Sequence, residues 1–553
     1  TKISRFRLFI FIFTTKFINN MSTLKSNANL SSRESKENKG KWQKIIKTLN
    51  EYNAQSKFEG NPKQISRARE RKKLLARERI ELILDIDSPF LELMPLSGMN
   101  YENGFGPGGT NVCGIGLVNK KLCAINSNVG TRKGGSIDFP TVKKTSRMNQ
   151  IILENKLPTI NLVESGGVNL PDQAMLFNLA GESFREITKR SKFGLSTISI
   201  VFGNATAGGA YVPGMSDFSI FQKKSANVFL AGPPLVKMAT NEISTTEELG
   251  GAEMHSKKSG VSDYLAENEY DGIRIAREIM KIIKTPKAHF IPKNKIKPPK
   301  YSEDEILNIL PVNNKIPWDI RELITRIIDD SQFSEFKELY GSTIVTGWAE
   351  LHGYPIGIIA NNGVIFSESA NKSSQFIQLC NQNNIPLIFL QNTTGFMVGK
   401  EYEEGGIIKN GAKLINAVAN SKVPSITIMT GNSFGAGNYG MNGRSYQPRF
   451  LFTYPNSKLA VMGSEQLAGV MEIIRSSSAK SLGRKINKEE EIKFKNKLIS
   501  EVENKASAYH STDQIWDDGI IDPRETRNYL GFCLAVIYNQ KIKGAKKYGV
   551  WRH

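Results

Sequence analysis

The chain has 553 residues, 39% of them hydrophobic and 47 of them glycine; single cores stop growing at roughly 250–300 residues, so two domains are expected. No run of about 18 apolar residues occurs, which argues against a membrane-spanning helix. Lysine and arginine exceed the acids by 74 to 53, a net charge of +21, but the lysines are scattered. No zinc-finger spacing, RNP-like aromatic motif or basic heptad goes with them, so the excess reads as a solvated surface and neither nucleic acid nor membrane is expected as a partner.

Along the chain, residues 1–20 come first, with Lys2, Arg5, Arg7 and Lys16 among aromatic and hydroxyl residues and no acid before Glu34. That composition is typical of a mitochondrial transit peptide and predicts the matrix, or the cytoplasm if the product starts at Met21. Residues 22–60 are polar and charged, and 67–85 alternate charged and apolar residues with the period of one surface helix. A glycine-rich body follows. Proline and lysine then concentrate over 285–300 (Pro286, Pro292, Pro298, Pro299), which is linker chemistry because proline interrupts helices and ladders alike. The expected organisation is a targeting or disordered segment at 1–40, a domain at 41–295 and a second at 296–553.

The two bodies repeat at an offset of 228 residues. Leu157-Pro-Thr-Ile-Asn-Leu162 matches Ile385-Pro-Leu-Ile-Phe-Leu390, each a short apolar strand reaching a glycine turn at Gly167 or Gly395. Further on, Gly203, Asn204, Gly209 and Tyr211 match Gly431, Asn432, Gly437 and Tyr439 in the same register. Apolar runs of about five residues alternate with helical stretches such as 177–190 and 411–420, the pattern of α/β units with buried strands. Two similar α/β domains in tandem are predicted, with a site built from two similar halves.

The chemistry is expected at the turns Ala207-Gly208-Gly209-Ala210-Tyr211 and Gly435-Ala436-Gly437-Asn438-Tyr439. Small residues between a strand and a helix let backbone N–H groups approach a ligand, and the helix adds its positive end. Such a turn can act as an oxyanion hole; alternatively the glycines serve packing alone. Two GxGxxG matches, at 104–109 and 435–440, lack the strand, helix and acid context of dinucleotide binding. The five histidines avoid the turns and no metal constellation is evident, so no metal is expected. The four cysteines (Cys113, Cys123, Cys380, Cys533) lie far apart in apolar runs and read as buried thiols.

These segments resemble the carboxyltransferase β subunits of biotin-dependent acyl-CoA carboxylases, nearest to the methylcrotonoyl type. The resemblance runs from about residue 41 onward and is carried by Leu74-Leu-Ala-Arg-Glu-Arg-Ile80, Ser165-Gly-Gly-Val-Asn-Leu-Pro-Asp-Gln173, the two turns, Leu230-Ala-Gly-Pro-Pro-Leu-Val-Lys237, Leu249-Gly-Gly-Ala252, Gln391-Asn-Thr-Thr-Gly-Phe-Met-Val-Gly399 and Val461-Met-Gly463. It implies an α/β fold of two tandem crotonase-like (ClpP/crotonase) domains related by internal duplication, with acyl-CoA on the first domain, biotin on the second and the working site between opposing subunits. Gly208 and Gly209 would hold the thioester enolate, and Ala436 and Gly437 the ureido oxygen of biotin. Lys143, Lys144 and Arg147 match a basic stretch near the CoA phosphates, and Asn361, Asn362 and Gly363 lie in a segment similar to an acyl-CoA-binding one. No biotinyl-lysine motif and no ATP-grasp segment occur, so a biotin carboxylase and biotin-carrier (α) subunit is implied as partner to a homo-oligomer with a hexameric core.

Asn169-Leu-Pro-Asp-Gln173 and Tyr439-Gly-Met-Asn-Gly-Arg444 follow the methylcrotonoyl pattern, implying a ligase-class enzyme of leucine degradation. Residues 177–188, near the acyl pocket, depart from it, leaving propionyl-CoA or another acyl-CoA as the alternative. An inactive structural paralogue is the alternative of another class.

Overall fold

The computed structural model describes residues 22–292, 296–482 and 488–553; the transit-peptide reading of residues 1–20 lies outside them. The chain forms two compact units. The first comprises Leu49–Lys287 with Thr512–Gly519, and the second the described residues of Thr1–Thr48, Ala288–Ser511 and Ile520–His553.

In the second unit a two-residue strand, β1 (Ser22–Thr23), precedes helix α1 (Arg33–Ser56), which belongs to this unit as far as Thr48. Composition showed only a polar stretch here, yet Trp42 and Ile46, four residues apart on one face, are buried, and the Trp42 indole donates to the carbonyl of Leu310 at 2.6 Å. With Leu49 three residues further on, three buried apolar anchors thus fix a helix whose other positions are mostly charged or polar.

In the first unit the single surface helix expected over 67–85 is two: α2 (Pro62–Glu70) and α3 (Ala76–Ile83). Lys72, with φ +55°, turns the chain between them, and the buried Glu59 carboxylate accepts from the amides of Ala76 and Arg77 at 2.7 and 2.9 Å. Such a cap starts a new helix where periodicity alone suggests one continuous element.

Eight strands of this unit form one sheet: β2 (Leu91–Leu93), β3 (Asn111–Val118), β4 (Lys121–Asn128), β5 (Thr159–Ser165), β6 (Thr197–Thr206), β7 (Phe218–Gln222), β8 (Asn227–Phe229) and β9 (Tyr264–Ala266). β2, β3 and β4 pair antiparallel; from β4 to β9 every pairing is parallel, with β8 beside the far end of β6. Parallel strands need crossovers, supplied between β4 and β6 by helices α4 (Phe139–Asn155) and α5 (Gln173–Lys192). The strand residues Ile125, Ile160, Leu162, Ile198, Ile200 and Ile220 form one buried cluster with Ile80 and Ile83 of α3 and Ile273 and Met280 of the helix Glu269–Ile282.

The second unit repeats the plan with β10 (Gln332–Glu335), β11 (Ile344–Leu351), β12 (Tyr354–Asn361), β13 (Leu387–Thr393), β14 (Ser425–Phe434), β15 (Phe450–Thr453) and β16 (Lys458–Ala460), while β1 extends its edge beside β10. Helices α6 (Ser367–Asn383) and α7 (Ile407–Asn420) make the matching crossovers. Thr159 pairs with Thr197 and Leu387 with Ser425, so the 228-residue register persists as hydrogen-bonded strand register. It breaks in one place. The hairpin β3–β4 recurs as β11–β12 at an offset of 233, because ten residues join β4 to α4 and only five join β12 to α6. The described residues of the 285–300 linker contain no helix or strand, and all four cysteines are buried thiols outside any disulfide, as expected.

Candidate active site

Each long central strand ends in one of the two turns. β6 runs into Ala207 at φ +53° and β14 into Gly435 at φ +54°, positions 228 apart. A left-handed conformation costs an L-residue about 1–2 kcal/mol, so Ala207 holds strain that Gly435 avoids. Beyond this kink Gly208 and Gly209 lie in a short 3₁₀ turn, Ala207–Ala210, whereas Ala436 and Gly437 open the helix Gly435–Gly440. In both, the paired amides lie in the first turn of the helical segment that follows the strand. The four residues singled out in sequence are therefore brought together two by two.

The neighbouring strand ends brace the turns in the same way in each unit. Ser165 Oγ accepts from the Gly167 amide at 3.2 Å, and Thr393 Oγ1 from the Gly395 amide at 3.1 Å. Single bridges tie Ile137 to Val168 and Ile365 to Phe396. Tightness differs: a Cβ on Gly209 would lie 3.4 Å from Ser165 Oγ, an ordinary contact, but one on Gly437 would lie 2.8 Å from Thr393 Cγ2 and 2.9 Å from Gly395 Cα.

The basic residues matched to the CoA phosphates do not present their charges together. Lys144 is 1% exposed, and its ammonium donates to the carbonyls of Asn111 at 2.7 Å and Gly108 at 3.3 Å. Arg147 is 7% exposed and grips Asp518 with two bonds of 2.8 and 2.9 Å. Burial lowers the pKa of Lys144; burial pushes Arg147 the same way, but the charge and hydrogen bonds of Asp518, with the charge of Glu154, together raise it. Lys143 is half-buried over the Phe139 ring and donates to Gln514 at 3.3 Å. Asn361 and Asn362 likewise serve the backbone: Asn361 Oδ1 accepts from the Asn392 amide at 3.2 Å, as Asn128 Oδ1 does from the Glu164 amide at 3.3 Å, and Asn362 Oδ1 accepts from the Ile320 amide at 3.1 Å. Gly363 follows at φ +150°.

Another group of cations lines a cavity of about 240 Å³ in the first unit: Arg67, Arg71, Lys73 and Lys133, with Glu164 at its wall. Arg67, Arg71 and Lys133 are exposed. Glu164 bonds to Lys73 and, at 2.9 Å, to Arg79, which also holds Glu269 by bonds of 2.7 and 2.9 Å. Burial raises the Glu164 pKa, but the charges of Arg79 and Lys73 outweigh it and hold it below the usual carboxylate range. With Glu164 already neutralised inside, the outer arginines and lysine are left to face an anion. The wall also uses Gly130, Thr131 and Gly134, within the connection that is five residues longer in this unit. Sequence reasoning passed over this group; the change of offset from 233 to 228 is the signal that could have found it.

A profile described as carboxyl transferase domain matches residues 67–550. The chain belongs to the carboxyl transferase family. Among its relatives, this carboxyltransferase is 48% identical over 532 residues to a probable biotin-dependent acyl-coenzyme A carboxylase β2 subunit of Mycobacterium tuberculosis, covering 96% of this chain and 99% of that one. It is 45% identical to the mitochondrial methylcrotonoyl-CoA carboxylase β chain of Dictyostelium discoideum, over 94% and 90% of the two chains. The crystal structure of the Pseudomonas aeruginosa geranyl-CoA carboxylase β subunit superposes with a TM-score of 0.85 at 38% identity, covering 96% of this chain and all of that one. The family implied by the sequence motifs, the β subunits of biotin-dependent acyl-CoA carboxylases, is the family found, and this member of it is an enzyme.

Proposed function

We propose that this carboxyltransferase moves CO2 from the carboxylated biotin of a partner α subunit to an acyl-CoA, and that 3-methylcrotonoyl-CoA is the acyl-CoA used. The observation that carries the reading is the pair of repeat-related turns, each kinked by a left-handed residue and each offering two first-turn amides. Gly208 and Gly209 hold the oxygen of the thioester as negative charge develops there, which is where a fixed donor lowers the barrier most.

The second turn fits the ureido edge of biotin. Ala436 is exposed beside the buried Gly437, so a carbonyl oxygen can reach both amides, and the exposed side chain of Val461 flanks the turn, its carbonyl 3.2 Å from where a Cβ on Gly435 would sit. Bound there, biotin supplies the CO2 and a base for the substrate proton, which accounts for turns built without a side-chain base. Ala436 and Gly437 orient its oxygen and stabilise charge on it.

The longer connection of the first unit supports its assignment to acyl-CoA. In place of Lys144 and Arg147, whose charges are used inside the fold, Arg67, Arg71 and Lys133 meet the phosphates. The protein works in the mitochondrial matrix as a homo-oligomer with a hexameric core, alongside the biotin-bearing subunit. The test is reconstitution with that subunit and fixation of labelled bicarbonate into 3-methylcrotonoyl-, geranyl- and propionyl-CoA. Preference for the first is expected. Preference for another overturns the substrate, and fixation into none, with the partner verified active, overturns the reaction.

A further inference from the structure

The two turns differ in what stands beside them. Tyr211 and Tyr439 occupy the same register and are each 45% exposed. Tyr211 leans on Phe184 from α5, ring centroids 5.5 Å apart and planes tilted by 53°, and the Phe184 ring comes within 3.4 Å of where a Cβ on Gly208 would lie. An apolar ring therefore closes over the first turn. Tyr439 instead stacks on Tyr446, from the loop just after its own helix, with centroids 5.7 Å apart and planes only 27° from parallel. The second turn is thus flanked by two stacked tyrosines, their planes nearly parallel, and by Val461, which is 80% exposed.

We infer that Tyr439 and Tyr446 form the surface on which the fused rings of biotin rest while its ureido edge meets Ala436 and Gly437. This deepens, and depends on, the assignment of the second turn to biotin made above. The bicycle has two broad apolar faces and one polar edge, and a ligand of that shape needs a flat apolar floor beside a donor pair. Tyrosine supplies the floor with little rotamer freedom to lose and keeps its hydroxyl at the wet rim. Tyr446, half-buried, keeps the Tyr439 ring flat, so Tyr439 touches the rings and Tyr446 positions it.

The test is binding of biocytin to the full-length oligomer, followed by saturation-transfer NMR, for the unmodified chain and for Tyr439→Ala, Tyr439→Phe, Tyr446→Ala, Tyr211→Ala and Ala436→Val, each first checked for an unchanged melting temperature. Tyr439→Ala and Tyr446→Ala are expected to raise the biocytin Kd about three- to tenfold, the size of a lost aromatic contact. Tyr439→Phe should bind like the unmodified chain, and so should Tyr211→Ala. If Ala436→Val loses binding while Tyr439→Ala and Tyr446→Ala keep it, the tyrosine floor is wrong and the reading of the turn stands. If Ala436→Val binds normally, or the unmodified chain never saturates with biocytin, both fall. An equal loss in Tyr211→Ala overturns the assignment to the second turn.

Discussion

Helices α4 and α6 have equal length, hold the same register of the repeat, and carry a fully buried lysine at the same position, Lys144 in one and Lys372 in the other. Lys144 ties down the loop before β3 through two carbonyls, whereas Lys372, 0% exposed, has no hydrogen-bond partner for its ammonium among the described residues. Three residues on, Arg147 is clamped by Asp518, and its counterpart in α6 is the exposed Gln375. Duplication therefore preserved the backbone while the polar anchoring diverged. At these two positions the first unit's helix is held by specific charged contacts that its counterpart in the second unit lacks.

The largest effect that tests this contrast is at Arg147. Removing one member of a buried pair leaves the other charge uncompensated, which costs about 3–5 kcal/mol. Arg147→Met should lower the urea midpoint of the first unit accordingly, while Gln375→Met should stay within about 0.5 kcal/mol. Similar losses in both would mean that Asp518 is solvated and the clamp is weak.

The turns give the next contrast. A methyl on Gly437 collides with Thr393 and the backbone of Gly395, so Gly437→Ala should cost about 1–3 kcal/mol; Gly209→Ala has room and should cost less than about 1. The Gly209 Cβ position faces Ser165, which leaves the amide free, so transfer by Gly209→Ala should fall by less than the roughly 10²–10³-fold expected for a lost oxyanion donor. Denaturant midpoints and single-turnover rates check both halves. A fully inactive but stable Gly209→Ala would show that glycine itself is needed there.

How much of this was legible in the sequence follows from what kind of signal each feature leaves. β5, β6, β13 and β14 were readable because buried parallel strands are unbroken apolar runs, and duplication printed them twice. The turns that hold Gly208, Gly209, Ala436 and Gly437 were readable because the repeat carries both. Ala207 was not, because its φ of +53° belongs to a residue type that rarely adopts it; only its partner Gly435 hinted at the conformation. The break between α2 and α3 was hidden because its cap, Glu59, precedes α3 by seventeen residues rather than sitting next to it. The resemblance put Lys144 and Arg147 near the CoA phosphates, and helical periodicity does not say which basic residues find internal acceptors. Their partners include Asp518, a distant residue that joins the first unit through the excursion Thr512–Gly519.

Lys144→Met should destabilise by about 1–3 kcal/mol, since it strands carbonyls that now accept hydrogen bonds from the ammonium. The smallest effect is expected at Lys372, and its sign is opposite. Burying an ammonium without a partner is unfavourable, and burial lowers its pKa below the ordinary lysine value. Between the lowered pKa of the folded protein and about 10.4, the unfolded chain binds more protons, so stability contributed by this site rises with pH across that window. Below the window both states are protonated and the full penalty is present. Lys372→Met removes the charge with little change of shape, so it should equal or exceed the unmodified protein in stability near neutrality, and the gap should close as pH approaches about 10. Denaturant midpoints of the two proteins, measured in steps across that range, read this directly. A gap that stays constant with pH, or a Lys372→Met as damaging as Lys144→Met, would show that the second lysine finds an acceptor after all and that the two helices are anchored alike.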